Sequence, residues 1–380
     1  MLDVGRFFRD LSESGFSFFT GVPDSLLKDF CAFLGERVPS ANHVIAANEG
    51  AAVAMAAGYH LATGSLPVVY LQNSGLGNAI NPLLTLADPE VYAIPILFLV
   101  GWRGEPGLAP RDEPQHAKQG RTMLKTLEAM ELEYDIVDAA SDCREIFRSA
   151  AASMRESGRS RFLVVRKGTF APYVPTAPAS GGKYDLSRED AIRLVLDTLA
   201  PEDLVVSATG MISRELYVLR EKSGIGHRND FLSIGSMGHC SQIALGLARE
   251  LPSRRVYCLD GDGSVIMHMG SLAVAGSEAG ANFRHVILNN GAHDSVGGQP
   301  TAGFRIDFCA IAKACGYRSS ELASTREEAE RAARRLAAAP GPSLLELRVK
   351  KGAREDLGRP DLSPIESKIV FMKGLRDARE

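Results

Sequence analysis

Short apolar runs alternate with longer Ala-rich stretches along the whole chain. Runs rich in Val, Ile, Leu and Phe predict strands at Phe16–Thr20, His43–Ala46, Val68–Leu71, Ile96–Val100 and Phe162–Val165. A second set follows at Leu204–Ser207, Phe231–Ile234, Val256–Leu259, Val286–Leu288 and Leu344–Val349. Helical segments such as Gly50–Ala62 and Cys240–Glu250 lie between them. Strands alternating with helices predict parallel, doubly wound α/β sheets, and runs that are apolar throughout suit strands buried on both faces. The longest apolar stretches, such as Ile94–Val100, are too short to span a bilayer.

The pattern also recurs. Asp142–Arg155 opens with an Asp-x-x-Glu cap signal, runs as a helix and leads into RFLVVRKG; Ser324–Ala338 opens with Ser-x-x-Glu and leads into LLELRVKKG. A capped helix, a hydrophobic strand and a basic-Gly exit in the same order suggest one plan used twice. Between the halves, GTFAPYVPTAPASGGKYDLS (168–187) has the Pro, Gly, Ser and Ala content of a linker. Helix Arg188–Leu199, capped by Ser187 with Asp190 three residues on, opens the second half. The chain therefore reads as a first domain over 1–170, a linker over 171–187 and a second domain over 188–380.

Composition changes this picture little. A chain of 380 residues has room for two ordinary domains, and 45% hydrophobic with 23% charged residues is ordinary globular content. A net charge of −3 gives no reason to expect nucleic acid or a membrane as partner. The opening MLDVGRFFRDLSESG carries acids among its apolar residues and does not read as a signal peptide. Six scattered cysteines without a CxxC pair favour buried thiols in a reducing cytoplasm over disulfides or zinc.

Candidate chemistry sits at the strand ends. Gly261-Asp262-Gly263-Ser264 follows the strand VYCLD, and Asn289-Asn290 ends the strand HVILNN. Each alone reads as a turn. Together they bring an aspartate, amides and backbone carbonyls to the carboxyl edge of a sheet, as hard oxygen ligands suited to Mg²⁺ beside glycines that admit a diphosphate. Upstream, FLSIGSMGHCSQIALGLA is a strand, a glycine-rich turn and a helix, a setting that suits a phosphate. In the first half, Asn48-Glu49-Gly50 opens a very apolar helix, where Glu49 is either a favourable first-turn acid or a functional carboxyl. Gly21-Val22-Pro23-Asp24-Ser25 ends the first strand, with Asp24 readable as a helix cap or as a site residue. Gln72–Asn78, QNSGLGN, ends the third.

These motifs resemble the thiamine-diphosphate-dependent 2-keto-acid decarboxylases. The resemblance implies two domains of the thiamine-diphosphate-binding fold, one pyrimidine-binding and one diphosphate-binding, with no central third domain. It implies Asp262, Asn290 and the carbonyl of Ala292 as Mg²⁺ ligands, with Asn289 holding the turn. Gly261, Gly263, Ser264 and Asn290 would then line the cofactor, Met237 would support its bent form, and the Gly235 carbonyl would accept from the aminopyrimidine. Glu49 matches the glutamate that hydrogen-bonds pyrimidine N1′ and promotes ylide formation. Ser25 falls on the polar catalytic position, while the paired histidines of pyruvate decarboxylase are absent. Active sites shared between subunits of a homo-oligomer, Glu49 from one chain and Asp262 from the other, are implied as well.

Two stretches narrow the resemblance. GWRGEPGLAPRDEPQHAKQG (101–120) and GAREDLGRPDLSPIESKIVFM (352–372) resemble segments of phosphonopyruvate decarboxylases. An anionic 2-keto acid is the implied substrate, converted to phosphonoacetaldehyde and CO₂ in phosphonate biosynthesis. Asp24, Arg103, His116, Arg354 and Arg359 are the candidates for binding it, since arginine makes bidentate oxyanion contacts. His293 and His116 are candidate proton donors or acceptors, although a histidine after the metal loop also stabilises turns. Sulfopyruvate decarboxylase is the nearest alternative, and its usual division into two subunits weighs against it. An acetolactate-synthase-type carboligase needs a middle domain, and a nicotinamide oxidoreductase lacks its G-x-G-x-x-G here.

Overall fold

The computed structural model describes residues 1–109, 112–176 and 184–377. Contacts divide the chain into two units, Met1–Ala179 and Ser180–Glu380. Of the expected linker, residues 177–183 lie outside the described residues, as do Pro110 and Arg111 in the 101–120 loop and 378–380 at the end of the expected second domain. The linker's described ends are packed. Tyr173 donates from its hydroxyl to Glu36 (2.7 Å) and from its amide to Asp29 (3.0 Å), and Leu186 is buried in the second core.

The first unit carries β1 (Phe16–Gly21), β2 (His43–Ile45), β3 (Leu66–Gln72), β4 (Leu97–Gly101), β5 (Glu133–Val137) and β6 (Arg161–Val165). They form one sheet in the order β2-β1-β3-β4-β6-β5, with every pair parallel. Alternate residues feed two cores. Val68, Tyr70, Leu97, Leu99, Leu163 and Val165 join Phe7, Phe30 and Phe147 on one face. Val69, Leu71, Phe98, Val100, Phe162 and Val164 join Ala52, Val53 and Leu127 on the other. Burial on both faces accounts for the apolar runs.

The second unit carries β7 (Leu204–Ser207), β8 (Asp230–Leu232), β9 (Val256–Gly261), β10 (Phe283–Asn289), the short antiparallel pair β11 (Ala292–His293) and β12 (Gln299–Pro300), then β13 (Ser319–Ala323) and β14 (Ser343–Arg348). Its parallel sheet runs β13-β14-β10-β9-β7-β8. Counting only sheet strands within each unit, both orders are second, first, third, fourth, sixth, fifth. The recurrence in the sequence is thus a recurrence of topology.

Besides the short pair β11 and β12, two strands of the parallel sheets escaped the sequence pattern, β5 and β13. Both are sheet edges with the same profile, mostly exposed or half-buried and ending in one buried residue. Their polar sequences follow from having one neighbour and an open face. Asp142 and Ser187 cap their helices as expected, accepting from Glu145 and Asp190 amides. The helix expected from Ser324 instead begins one residue later. Thr325 and Glu328 form its capping box, because Thr325 holds the extended conformation a cap needs.

Candidate functional site

In each sheet the strand order reverses between the first and third strands, β1 and β3 in one unit and β7 and β9 in the other. Ligands of open α/β sheets bind outside the carboxyl ends of strands at such a switch point. The candidate residues after β1 to β4 and after β8 to β10 leave from these ends.

In the first unit Glu49 begins the helix Glu49–Thr63, with Asn48 as its cap accepting from the Ala51 amide (2.9 Å). Only 5% of Glu49 is exposed. Burial raises its pKa, opposed by a hydrogen bond from Asn78 Nδ2 to Oε2 (2.8 Å). Gly75 lies against the same carboxyl group: a Cβ there would sit 2.3 Å from Oε1. The QNSGLGN turn therefore supplies both the amide that meets Glu49 and the space for it.

Asp24 is not a helix cap, since the next helix begins at Lys28. Its Oδ1 accepts from the Leu26 amide (2.9 Å), packed where a Cβ on Gly101 would fall. Its Oδ2 is buried without a hydrogen-bond partner, and burial raises its pKa to about 6. Next to it, Arg103 is tightly held. Its guanidinium donates to both Asp112 oxygens (2.7 and 2.5 Å) and to Ser25 Oγ (2.6 Å), and Asn73 clamps its backbone (2.8 and 3.2 Å). Asp24, Ser25 and Arg103 thus form one cluster. Asp112 completes it and was missed as a site residue, because nothing in DEPQH marks its first residue as the arginine's partner. His116 does not join the cluster as a cation. Burial, with the charge of Arg103, pushes its pKa down to about 4, so it is neutral at neutral pH.

In the second unit β9 delivers Asp262, which starts the helix Asp262–Met267 and is 2% exposed. Burial raises its pKa to about 6, against hydrogen bonds from the Thr301 hydroxyl and the Asn290 amide (3.4 Å for the latter). Asn289 holds the turn, donating to Gly303 O (2.8 Å) and Glu346 (2.9 Å) and accepting from the Gly291 amide (3.1 Å). Asn290 accepts from the Ala292 amide (3.1 Å) and donates to Asp294 (2.6 Å). The carbonyls of Gly291 and His293 are bonded to Thr301 and Gly298 amides (both 2.9 Å). Strand alternation turns the carbonyl of Ala292 the other way. A Cβ on Gly303 would lie 2.4 Å from Asp262 Oδ2. This loop offers a carboxylate, an amide oxygen and a carbonyl, a donor set that fits Mg²⁺. By contrast, the cluster Cys240, Cys258 and Asp260 is soft, and its thiols bond each other (3.4 Å) and the Val206 carbonyl (3.5 Å).

Gly238 donates its amide to Ser264 Oγ (3.1 Å), which joins the glycine turn around Gly235 and Met237 to the turn of Gly261 and Gly263. A Cβ on Gly263 would meet the His293 ring at 2.9 Å. Burial pushes His293 down to about 4, so at neutral pH it is a proton acceptor and a poor general acid. The tail packs on this unit. Arg214 donates to the Leu357 and Gly358 carbonyls, Leu357 is buried, and Arg354 pairs with Glu189 (3.1 Å) and Asp356 (3.0 Å). Arg359 is exposed. Neither tail arginine belongs to the unit that carries Asp24, Ser25 and Arg103.

Residues 5–128 match the N-terminal thiamine pyrophosphate binding domain of thiamine pyrophosphate enzymes, and residues 217–347 match their C-terminal binding domain. The chain is 34% identical to a phosphonopyruvate decarboxylase of Streptomyces viridochromogenes, over 96% of this chain and 93% of that one. The chain belongs to the phosphonopyruvate decarboxylase family of thiamine pyrophosphate enzymes. A second phosphonopyruvate decarboxylase, from Streptomyces hygroscopicus, is 33% identical over 96% of this chain and 92% of its own length. A sulfopyruvate decarboxylase of Methanosarcina acetivorans is more distant, 26% identical over 96% of this chain and 95% of that one. That relative has both halves in one chain, so fusion does not separate phosphonate from sulfonate enzymes. As a member of this thiamine pyrophosphate family, the chain is a decarboxylase. No helix among the described residues is long and apolar enough to cross a membrane.

Proposed function

We propose that the protein is a cytoplasmic homo-oligomer that decarboxylates 3-phosphonopyruvate to phosphonoacetaldehyde and CO₂, using thiamine diphosphate and Mg²⁺. The observation that carries this reading is near full-length similarity at 33–34% identity to phosphonopyruvate decarboxylases, with both buried carboxyl centres in place. When bound, the thiazolium of the cofactor provides the electron sink for the pair left by departing CO₂. The residues of this chain do the rest. Asp262, Asn290 and the Ala292 carbonyl would hold the ion, and the Gly235–Gly238 and Gly261–Ser264 turns would line the diphosphate. Glu49, whose pKa burial raises, would meet pyrimidine N1′ and exchange a proton with it there. Arg103, fixed by Asp112, and Ser25 receive the anionic head group, and Asp24, raised by burial to about 6, can take up a proton just below neutral pH. Glu49 and Asp262 lie in different units, which supports sites completed by two subunits, as the family resemblance implies.

The test is aldehyde trapping and CO₂ release from phosphonopyruvate with the purified protein. Both products should appear only with thiamine diphosphate and a divalent ion. Turnover without the cofactor, or release of CO₂ without the aldehyde, would refute the reading.

A further inference from the structure

Asn290 offers its amide oxygen to the proposed ion only if its side chain is turned the right way, and the fold contains a device that fixes it. On one side of the amide stands Asp294, a carboxylate that can only accept. On the other stands the Ala292 N–H, which can only donate. An acceptor and a donor on opposite sides leave one orientation: Nδ2 toward Asp294 (2.6 Å) and Oδ1 toward Ala292 N (3.1 Å). Oδ1 keeps its second lone pair for the ion.

Asp294 is itself anchored. Its Oδ2 takes, besides the Asn290 amide, Arg188 Nη1 (2.8 Å) and the Gly352 amide (3.0 Å). Arg188 donates through Nε and Nη2 to both oxygens of Glu215 (2.7 and 2.9 Å). The side chains of Arg188, Glu215 and Asp294 are only 4%, 2% and 8% exposed. Two carboxylates around one guanidinium leave the group with a net negative charge, out of water and in direct contact with a residue of the metal loop. That formal charge complements a dication, and the ion pair holds the Asp294 side chain still.

We propose that Asp294 is the positioning residue of the metal loop: held by the Arg188–Glu215 pair, it fixes the Asn290 amide so that its oxygen meets Mg²⁺. The inference rests on the thiamine diphosphate and Mg²⁺ reading of this site. The Gly352 contact also ties the start of the tail to the loop, so the tail and the ion share one anchor. Groups behind metal ligands commonly tune affinity by about ten- to a hundredfold.

The experiment is titration calorimetry of Mg²⁺ into the full-length protein with saturating thiamine diphosphate, for the parent, Asp294→Asn, Asn290→Ala, the double variant and Asp262→Ala. Asp294→Asn should bind Mg²⁺ ten- to a hundredfold more weakly and recover its kcat when Mg²⁺ is raised. In the double variant it should add nothing to Asn290→Ala, because it acts through that side chain. Unchanged Mg²⁺ affinity in Asp294→Asn, or a full additional loss in the double variant, would overturn the inference. So would a lower Tm and kcat with the parent's Mg²⁺ affinity, which marks a merely structural role. If Asp262→Ala also binds Mg²⁺ like the parent, the metal reading itself fails, and with it this inference. Loss in Asp262→Ala with none in Asp294→Asn fails the inference alone.

Discussion

Asp24 and Glu49 are both carboxyl groups taken out of water, and they differ in what meets them. Glu49 has the Asn78 amide, whereas one oxygen of Asp24 has no partner. The folded pKa of Asp24, about 6, lies above its ordinary 3.8, so the folded state binds the extra proton. Its contribution is therefore complete below pH 3.8 and is lost as pH rises through 6. Asp24→Asn removes that dependence. Relative to the parent, the variant should gain up to about 3 kcal/mol between pH 4 and 7. Melting curves across that range check this, and parallel profiles would contradict it. Glu49→Gln should keep cofactor binding and lower kcat by about 10²–10⁴-fold. Calorimetry with thiamine diphosphate separates the two, and a parent-like kcat would remove Glu49 from the chemistry. Glu49 was singled out in the sequence through the family resemblance, since its place at the head of an apolar helix fitted a first-turn acid equally well. Asp112, Asp294 and Thr301 were not, since their roles come from partners that only the fold brings near. The neutral state of His116 and His293 was hidden for a similar reason: burial is not written beside a histidine.

At the scale of elements, the buried strands were legible because two-sided burial writes a continuous apolar run. β5 and β13 were not, because an edge strand needs few apolar residues and theirs resemble loops. Two glycines, one in a turn and one in a helix, show a parallel contrast. Gly75 ends the turn Asn73–Gly75, and a Cβ there would fall 2.3–2.6 Å from Oε1, Cδ and Cγ of Glu49. Gly276 lies in the helix Gly270–Glu278, and a Cβ there would fall 1.9 Å from the Cys315 carbonyl. Gly75→Ala should displace the carboxyl group and cut kcat at least tenfold with little change in Tm. Gly276→Ala should instead lose roughly 1–3 kcal/mol of stability through overpacking. Measuring Tm and kcat for both variants checks this. Equal effects on both quantities in both variants would mean that the Gly75 turn is only structural.

At the scale of the molecule, one strand order serves twice, and each copy holds a different part of the proposed site. The recurrence of helix, strand and basic-Gly exit pointed to this, although the shared order needed the structure. If sites are completed between subunits, a mixture of Glu49→Gln and Asp262→Ala chains should regain up to about a quarter of parental activity by random pairing in dimers. Activity no greater than the sum of the separate variants, in mixed oligomers verified by mass spectrometry, would contradict shared sites. The choice of keto acid is the central claim, and the tail arginines, paired or exposed on the second unit, leave Arg103 as its best-anchored cation. The most direct measurement is kcat/KM for phosphonopyruvate and for sulfopyruvate, with thiamine diphosphate and Mg²⁺ at saturation. Phosphonopyruvate should be preferred by at least about tenfold, a difference near 1.4 kcal/mol in transition-state binding. A preference for sulfopyruvate, or equal values for the two, would contradict the account.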